Sequence, residues 1–254
     1  MSNSYKKEFL SLLSKKKAEH YSFFQERTER INEKDFKYLE CNIDLDILKA
    51  AVNLAKKKSQ FTMNQSQAAI PRDSVTKLKK CAQGILAEMF IHFLLLERYN
   101  FEVYRYDLER DTFIYKTDEY DIKIYISDQI YEVESRSSNI HHSSISKFIN
   151  EDVIIGPYGN SVKKTDELAD FHFRPIYMPN FEPFLYIDGK YRYNEKLLKK
   201  DAKLVITGVA TREDFIKNGF TGDLFQRGTK YFLVYAKLVG DIDTMDEKFK
   251  VLMK

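Results

Sequence analysis

Apolar residues recur along this chain with two different spacings, and the change comes near residue 100. Before it the spacing is helical. Asp46–Lys57 carries Ile47, Leu48, Ala51, Val52 and Ala55, an amphipathic pattern. The whole of residues 1–58 lacks Gly and Pro and reads as helix of mixed charge. A polar stretch from Ser59 to Gln67, ending near Pro71, reads as a loop. A long helix is then predicted from Asp73 or Ser74, both good caps, to Tyr99–Asn100. Its stripe is Val75, Leu78, Ala82, Ile85, Leu86, Met89, Phe93 and Leu96, with Glu88 on the shoulder.

Beyond this helix the period drops to two. Phe101–Tyr106, Asp121–Ile126 and Gln129–Arg136 alternate as strands do. Ser143–Asn150 predicts a short helix and Asp152–Gly156 a buried strand. Phe171–Met178 and Pro183–Ile187 are aromatic extended pieces, and Lys203–Ala210 and Tyr231–Val239 are further strands. Thr211 with Asp214 three residues later forms a capping-box signature for a helix between the last two. The predicted fold class is α/β or α+β, a mixed central sheet flanked by helices. The predicted organisation is a helical N-terminal extension, 1–70, on a compact unit, 71–254, with a core at about 74–157 and a C-terminal part at 158–254 suited to recognition or dimerisation.

The composition, 43% apolar and 31% charged, is that of a globular chain. The longest apolar run, Met89–Leu96, is broken by His92 and is too short for a bilayer, and the N-terminus has no apolar signal core. The expectation is a cytoplasmic protein with no membrane partner. The two cysteines, Cys41 and Cys81, have no metal-binding spacing and are expected as ordinary thiols. The net charge of +3 permits nucleic-acid binding without demanding it. Short basic runs at Lys15–Lys17, Lys56–Lys58, Lys79–Lys80, Lys163–Lys164 and Lys199–Lys200 suit solvated helix faces singly and a phosphate-tracking groove jointly.

The chemistry concentrates in Glu119–Ser138. Ile122, Ile124 and Ile126 make the apolar face of one strand, and Tyr131 and Val133 that of the next. A turn at Ser127-Asp128 puts both on one side, pairing Ile122 with Val133 and Ile124 with Tyr131. Asp121 then stands opposite Glu134, and Lys123 opposite Glu132. Like charges opposed across strands are destabilising, and a divalent cation would relieve them. Such spacings of acids arise by chance about once in a chain of this length, so the weight lies in the strand-turn-strand context. An exposed sheet face that merely bears charge would account for the same residues.

At these positions the sequence resembles the PD-(D/E)XK nuclease superfamily, which includes most type II restriction endonucleases. Asp121 matches the acid that begins one strand, and Glu132-Val133-Glu134 the acid-x-lysine triplet, with Glu134 in the lysine position. Gly84–Glu88 resembles the helix that completes such sites, and the likeness covers about residues 74–157. It implies a Mg²⁺-dependent endonuclease of duplex DNA, acting as a homodimer without a small-molecule cofactor, with Mn²⁺ able to substitute. It implies catalytic roles for Asp121, Glu132, Glu134 and Glu88, and metal ligation by Asp121, Glu132 and the Val133 carbonyl. Lys123, Arg136, Ser137 and Lys147 are its DNA-contact candidates, Lys123 and Lys147 also as relocated lysines. A phage or repair nuclease acting on ends, branches or modified DNA shares this chemistry, and a catalytically inactive DNA-binding protein is a third outcome.

Other residues are less informative. His141-His142 face different ways on one loop, and His92 reads as a packed helix histidine. Ser143 and Ser144 suit either a phosphate or a helix cap. Tyr158-Gly159-Asn160 and Asp188-Gly189 read as turns. Arg136, Arg174, Arg192, Arg212 and Arg227 are possible phosphate or base readers.

Overall fold

The computed structural model describes residues 4–61, 73–109, 120–140, 144–158, 168–179, 181–188, 190–223 and 230–253. His141, His142, Ser143, Gly159, Asn160, Lys163, Lys164, Gly189, Arg227 and most of the Ser59–Pro71 segment lie outside them. The chain opens with α1 (Ser4–Ala18), β1 (Phe24–Ile31), β2 (Lys34–Cys41) and α2 (Leu45–Phe61). The prediction of helix throughout residues 1–58 is therefore corrected by a β-hairpin. Its turn residues, Asn32 and Glu33, both take positive φ, 49° and 67°. The hairpin was hidden because its strands carry charges on both faces, and those charges pair locally, Arg30 with Asp35 at 2.9 Å and Arg27 with Glu40 at 3.2 Å. Leu39 is buried, and β2 lies in the sheet only because it pairs with a strand from the far end of the chain.

The long helix α3 (Ser74–Tyr99) forms as its caps predict. The Asp73 side chain accepts from the Thr76 N–H at 2.7 Å, and Asn100 closes the helix in the left-handed region at φ 56°. From Ile85 to Leu95 it is buried all round, not only along the predicted stripe: Ala87, Phe90, Ile91, Leu94 and Leu95 are inaccessible too. A helix apolar on every side belongs in the middle of a core. Residues from α1 and α2, α3 and the following strands share one large hydrophobic cluster with it.

The remaining elements run β3 (Glu102–Arg105), α4 (Tyr106–Glu109), β4 (Ile122–Ile126), β5 (Gln129–Ser135), β6 (Ser138–Asn139), α5 (Ile145–Glu151) and β7 (Val153–Tyr158). Then come β8 (Phe171–Phe173), β9 (Ile176–Met178), β10 (Phe184–Ile187), β11 (Lys190–Tyr193), α6 (Glu195–Leu198), β12 (Lys203–Ile206) and β13 (Val209–Thr211). The chain finishes with α7 (Arg212–Asn218), β14 (Phe220–Gly222), β15 (Tyr231–Tyr235), a 3-10 turn over Ala236–Leu238, and α8 (Ile242–Leu252). β3, β4, β5 and α5 match their predicted spans within a few residues, while α4 and β6 were not predicted. The strand predicted over Lys203–Ala210 is broken in two at Thr207-Gly208, where a side chain on Gly208 would come within 2.6 Å of the Gly240 carbonyl. The α7 capping box is present in full.

Two mixed sheets carry the architecture, ordered β1-β2-β12-β9-β6 and β13-β8-β5-β4-β3. They join through three kinked strands, β5/β6, β8/β9 and β12/β13. The hydrogen bonds continue across the kinks: Arg136 N–H to the Phe173 carbonyl, Ser138 N–H to Pro175 and Ile140 N–H to Tyr177. A third sheet, β14-β15-β7, and the separate ribbon β10-β11 complete the set. The fold is α+β with mixed sheets, as the class prediction has it. Among the described residues no helix is long and apolar enough to cross a membrane.

Candidate active site

The hairpin β4–β5 has the predicted register. Ile122 pairs with Val133, Lys123 with Glu132 and Ile124 with Tyr131. Ser127 and Asp128 both take positive φ, 48° and 64°, as a tight two-residue turn requires. Ile122, Ile124 and Val133 bury themselves under α3, which drives Lys123, Glu132 and Glu134 to the other face. On its second side β5 pairs with β8 in parallel, Val133 with Phe171 and Glu134 with His172. Val133 therefore lies mid-sheet with its side chain buried.

Two charged rows cross this face. In the outer row Lys123 pairs with Glu132 at 3.5 Å, and Arg212 with Asp170 at 3.2 Å. The Asp170 carboxylate also accepts the Glu132 N–H at 2.8 Å. Lys123 further sits 4.2 Å above the Tyr120 ring. Every charge in this row has an opposite, and the Glu132 side chain keeps 46% of its surface exposed.

The inner row is different. Asp121 is bent out of β4, and its Oδ2 accepts the Ser135 N–H at 2.8 Å, while its carbonyl accepts from Tyr106 N–H at 3.1 Å. Burial pushes the Asp121 carboxyl well above the usual carboxylate range, and the negative charges of Glu134 and Glu88 push it further. The Ser135 N–H and the Lys58 charge act the other way. Lys58 itself pairs at 2.8 Å with the buried Asp107 of α4. Glu134 pairs with Arg136 at 2.6 Å.

Glu88 enters from α3, nearly buried, with Oε2 3.5 Å from Arg105 Nη2. Arg105 is the largest fully buried side chain of the molecule, and its guanidinium nitrogens make no hydrogen bond. Its charge lies 5.4 Å from the Phe9 ring and beside Glu88. Burying a cation without its counter-charge costs several kcal/mol, so Glu88 balances Arg105 besides facing Asp121. The alternation of Phe101, Val103 and Arg105 already turned Arg105 inward, a signal the sequence reading passed over.

The acids gathered here are thus Asp121, Glu134 and Glu88, whereas Glu132 turns to Lys123. Among the described residues no three His, Cys, Asp or Glu side chains are arranged to hold a metal ion as they stand. The donor chemistry still suits Mg²⁺, which needs only one or two carboxylates with water and phosphate oxygens. Asp121 and Glu134 supply that pair.

Of the DNA-contact candidates, Lys123 and Arg136 reach the site through their ion pairs. Ser137 lies half-buried at the kink between β5 and β6. Lys147 stands on α5, 3.9 Å from Glu151, on a helix that packs into a second cluster through Ile145, Phe148 and Ile149. Ser144 caps that helix, accepting the Lys147 N–H at 3.1 Å. Arg174 is a structural residue, buried on Ser138 Oγ, Asp152 and the Val153 carbonyl. His92 is a packed histidine, 4.8 Å from Phe9 edge-on, its pKa lowered to about 3 by burial and by Arg105. Cys41 is buried and Cys81 half-buried, and neither forms a disulfide among the described residues.

The residue sequence reasoning missed is His172, beside Glu134 in the sheet and fully buried against Phe215 at 4.7 Å. Burial, then the charges of Arg136 and Arg212, lower its pKa to about 3. Neither ring nitrogen makes a hydrogen bond of good geometry, and the Ala169 backbone offers only a weak one. Nothing in its sequence neighbourhood marks it, because its partners come from β5 and α7. No family model, curated protein or solved structure matches this chain.

Proposed function

We propose that this protein is a Mg²⁺-dependent endonuclease of the PD-(D/E)XK kind, cutting duplex DNA at a defined site as type II restriction enzymes do. The observation that carries the reading is the excess of carboxylate at half-buried Asp121 and Glu134 and buried Glu88, set beside Arg136 at one end of the β4–β5 hairpin. Asp121 and Glu134 would hold the ion. When bound, Mg²⁺ supplies an acidified water and stabilises the departing oxygen.

A second frame fits beside Glu132-Val133-Glu134: with Asp121 across from Glu134, as the sequence predicts, Glu134-Ser135-Arg136 also reads as an acid-x-cation triplet. In that frame Arg136 occupies the lysine position and no cation is missing. Its guanidinium, 2.6 Å from Glu134, is placed to orient a phosphate next to the carboxylates. Glu88 faces Asp121 from behind and fixes Arg105. Glu132 stays at the rim with Lys123, where the pair meets the substrate backbone. A homodimer would match the two-fold symmetry of a palindromic site.

The test is digestion of circular and linear DNA with Mg²⁺ or Mn²⁺. Discrete plasmid fragments support the reading. Progressive loss from ends would move the protein to the end-processing nucleases. Salt-sensitive DNA binding with no cleavage in either metal would make it an inactive binding protein.

A further inference from the structure

The ribbon β10–β11 stands outside both main sheets. Its base is anchored by Phe184, fully buried, and by Tyr193, packed against the main core. Past that base every described side chain is exposed. Side chains alternate along the pair. Tyr186 opposes Tyr191 on one face, with ring centroids 5.0 Å apart. On the other face Leu185 opposes Arg192, and Ile187 opposes Lys190. Leu185 and Ile187 leave 40% and 41% of their surface in water, next to each other on this one face.

This face is cationic as well as apolar. Among the described residues neither Lys190 nor Arg192 has an ion-pair partner; Glu195 and Glu182 nearby are taken up by Lys199 and Lys79, and the exposed Asp188 at the turn leaves the ribbon a net charge of +1. The end of α2 ties the ribbon to the candidate site. Lys56 lies 5.8 Å from the Tyr191 ring, and Lys58, two residues on, pairs with Asp107 and acts on Asp121.

We infer that the β10–β11 ribbon is a groove-entering arm for duplex DNA, with its Leu185–Ile187–Lys190–Arg192 face on the duplex. A two-stranded ribbon fits the major groove. The two cations suit the phosphates that flank the groove, and the aliphatic pair suits base edges such as thymine methyls. The inference rests on the nuclease reading for its substrate but not for its chemistry.

The experiment is fluorescence anisotropy of a labelled mixed-sequence duplex in EDTA over a salt titration, for the unaltered protein and for Lys190→Ala/Arg192→Ala. Both side chains are exposed, so the variant should melt like the parent. The expected result is about tenfold weaker binding and a salt slope shallower by about 1.8, roughly 0.9 for each lost phosphate contact. An unchanged slope overturns the arm even if the protein cuts DNA. A reduced slope without cleavage in Mg²⁺ keeps the arm and sinks the nuclease reading instead. The chain has no Trp, so Leu185→Trp, on the face laid against the duplex, gives a single reporter whose emission should shift or quench on adding duplex. A silent reporter overturns the proposal, as does a dimer that becomes a monomer in Tyr186→Ala/Tyr191→Ala with DNA binding intact, which would make the ribbon a contact between copies of the chain.

Discussion

One pleat separates the two charged rows of the β4–β5 face, and they behave differently. In the outer row, Lys123, Glu132, Asp170 and Arg212 balance and stay near water. In the inner row, Asp121 and Glu134 face the single cation Arg136, Glu88 adds its negative charge from the α3 side where it pairs with Arg105, and desolvation raises the Asp121 carboxyl. Opposed charge that is neutralised and solvated needs nothing more. Opposed charge that is buried and in excess needs a proton or a cation. The number of acids is thus a poor guide to a site, and their state of compensation is a better one.

The largest test of the contrast is activity. Asp121→Ala and Glu134→Ala should each lower cleavage by about 10²–10⁴-fold, and Glu132→Ala by about tenfold or less. Equal losses in all three, measured by initial rates on plasmid, would erase the distinction between the rows. Next comes Glu88→Ala, which leaves Arg105 buried without its counter-charge. A loss of about 3–5 kcal/mol in denaturant-unfolding stability is expected, against almost none for Glu132→Ala.

A smaller effect has a telling pH dependence. The folded-state pKa of Asp121 is raised, so folding holds its proton more tightly than the unfolded chain does, and stability is lost as pH rises through that value. Asp121→Asn should therefore gain about 1–2 kcal/mol near neutral pH without metal and nothing near pH 3. His92 and His172 have the opposite sign. Their folded pKa values of about 3 lie below the ordinary 6.5, so their contribution is full above that value and lost as the pH falls toward 3. Denaturant midpoints from pH 3 to 9 should show a steeper acid limb in the parent than in His172→Gln. The smallest effect belongs to the outer row. Lys123→Ala should change stability by about 0–1 kcal/mol, since a half-exposed pair is screened by water, and urea midpoints at low and high salt should nearly coincide.

The arm proposed for β10–β11 sharpens the comparison in another way, because among the described residues its cations, unlike those of the outer row, form no ion pair.

Much of the region from α3 to β5 was legible before any coordinates. The alternation of Ile122, Ile124 and Ile126 with Tyr131 and Val133 leaves one register that buries them all, and Ser127-Asp128 is the turn it demands. The caps Asp73, Asn100 and Thr211 were equally plain, because each acts on the backbone within a few residues. The β1–β2 hairpin, the kinks that join the two sheets and α8 were not seen. Each is stabilised by partners far along the chain: β12 for β2, the Gly240 backbone for the Thr207-Gly208 break, and Tyr99, Phe101 and Phe171 for Phe249 of α8.

The same division runs through the candidate site. Which acids share a face, and that Asp121 stands opposite Glu134, follows from the sequence, because side-chain direction along a strand is a local geometric rule. Which of them are shielded from water and which are neutralised follows from the packing of the whole molecule. Burial and charge compensation depend on Asp170, Arg212 and His172 from other strands and helices and on Glu88 and Arg105 beneath the sheet, and desolvation is a property of everything packed around a group.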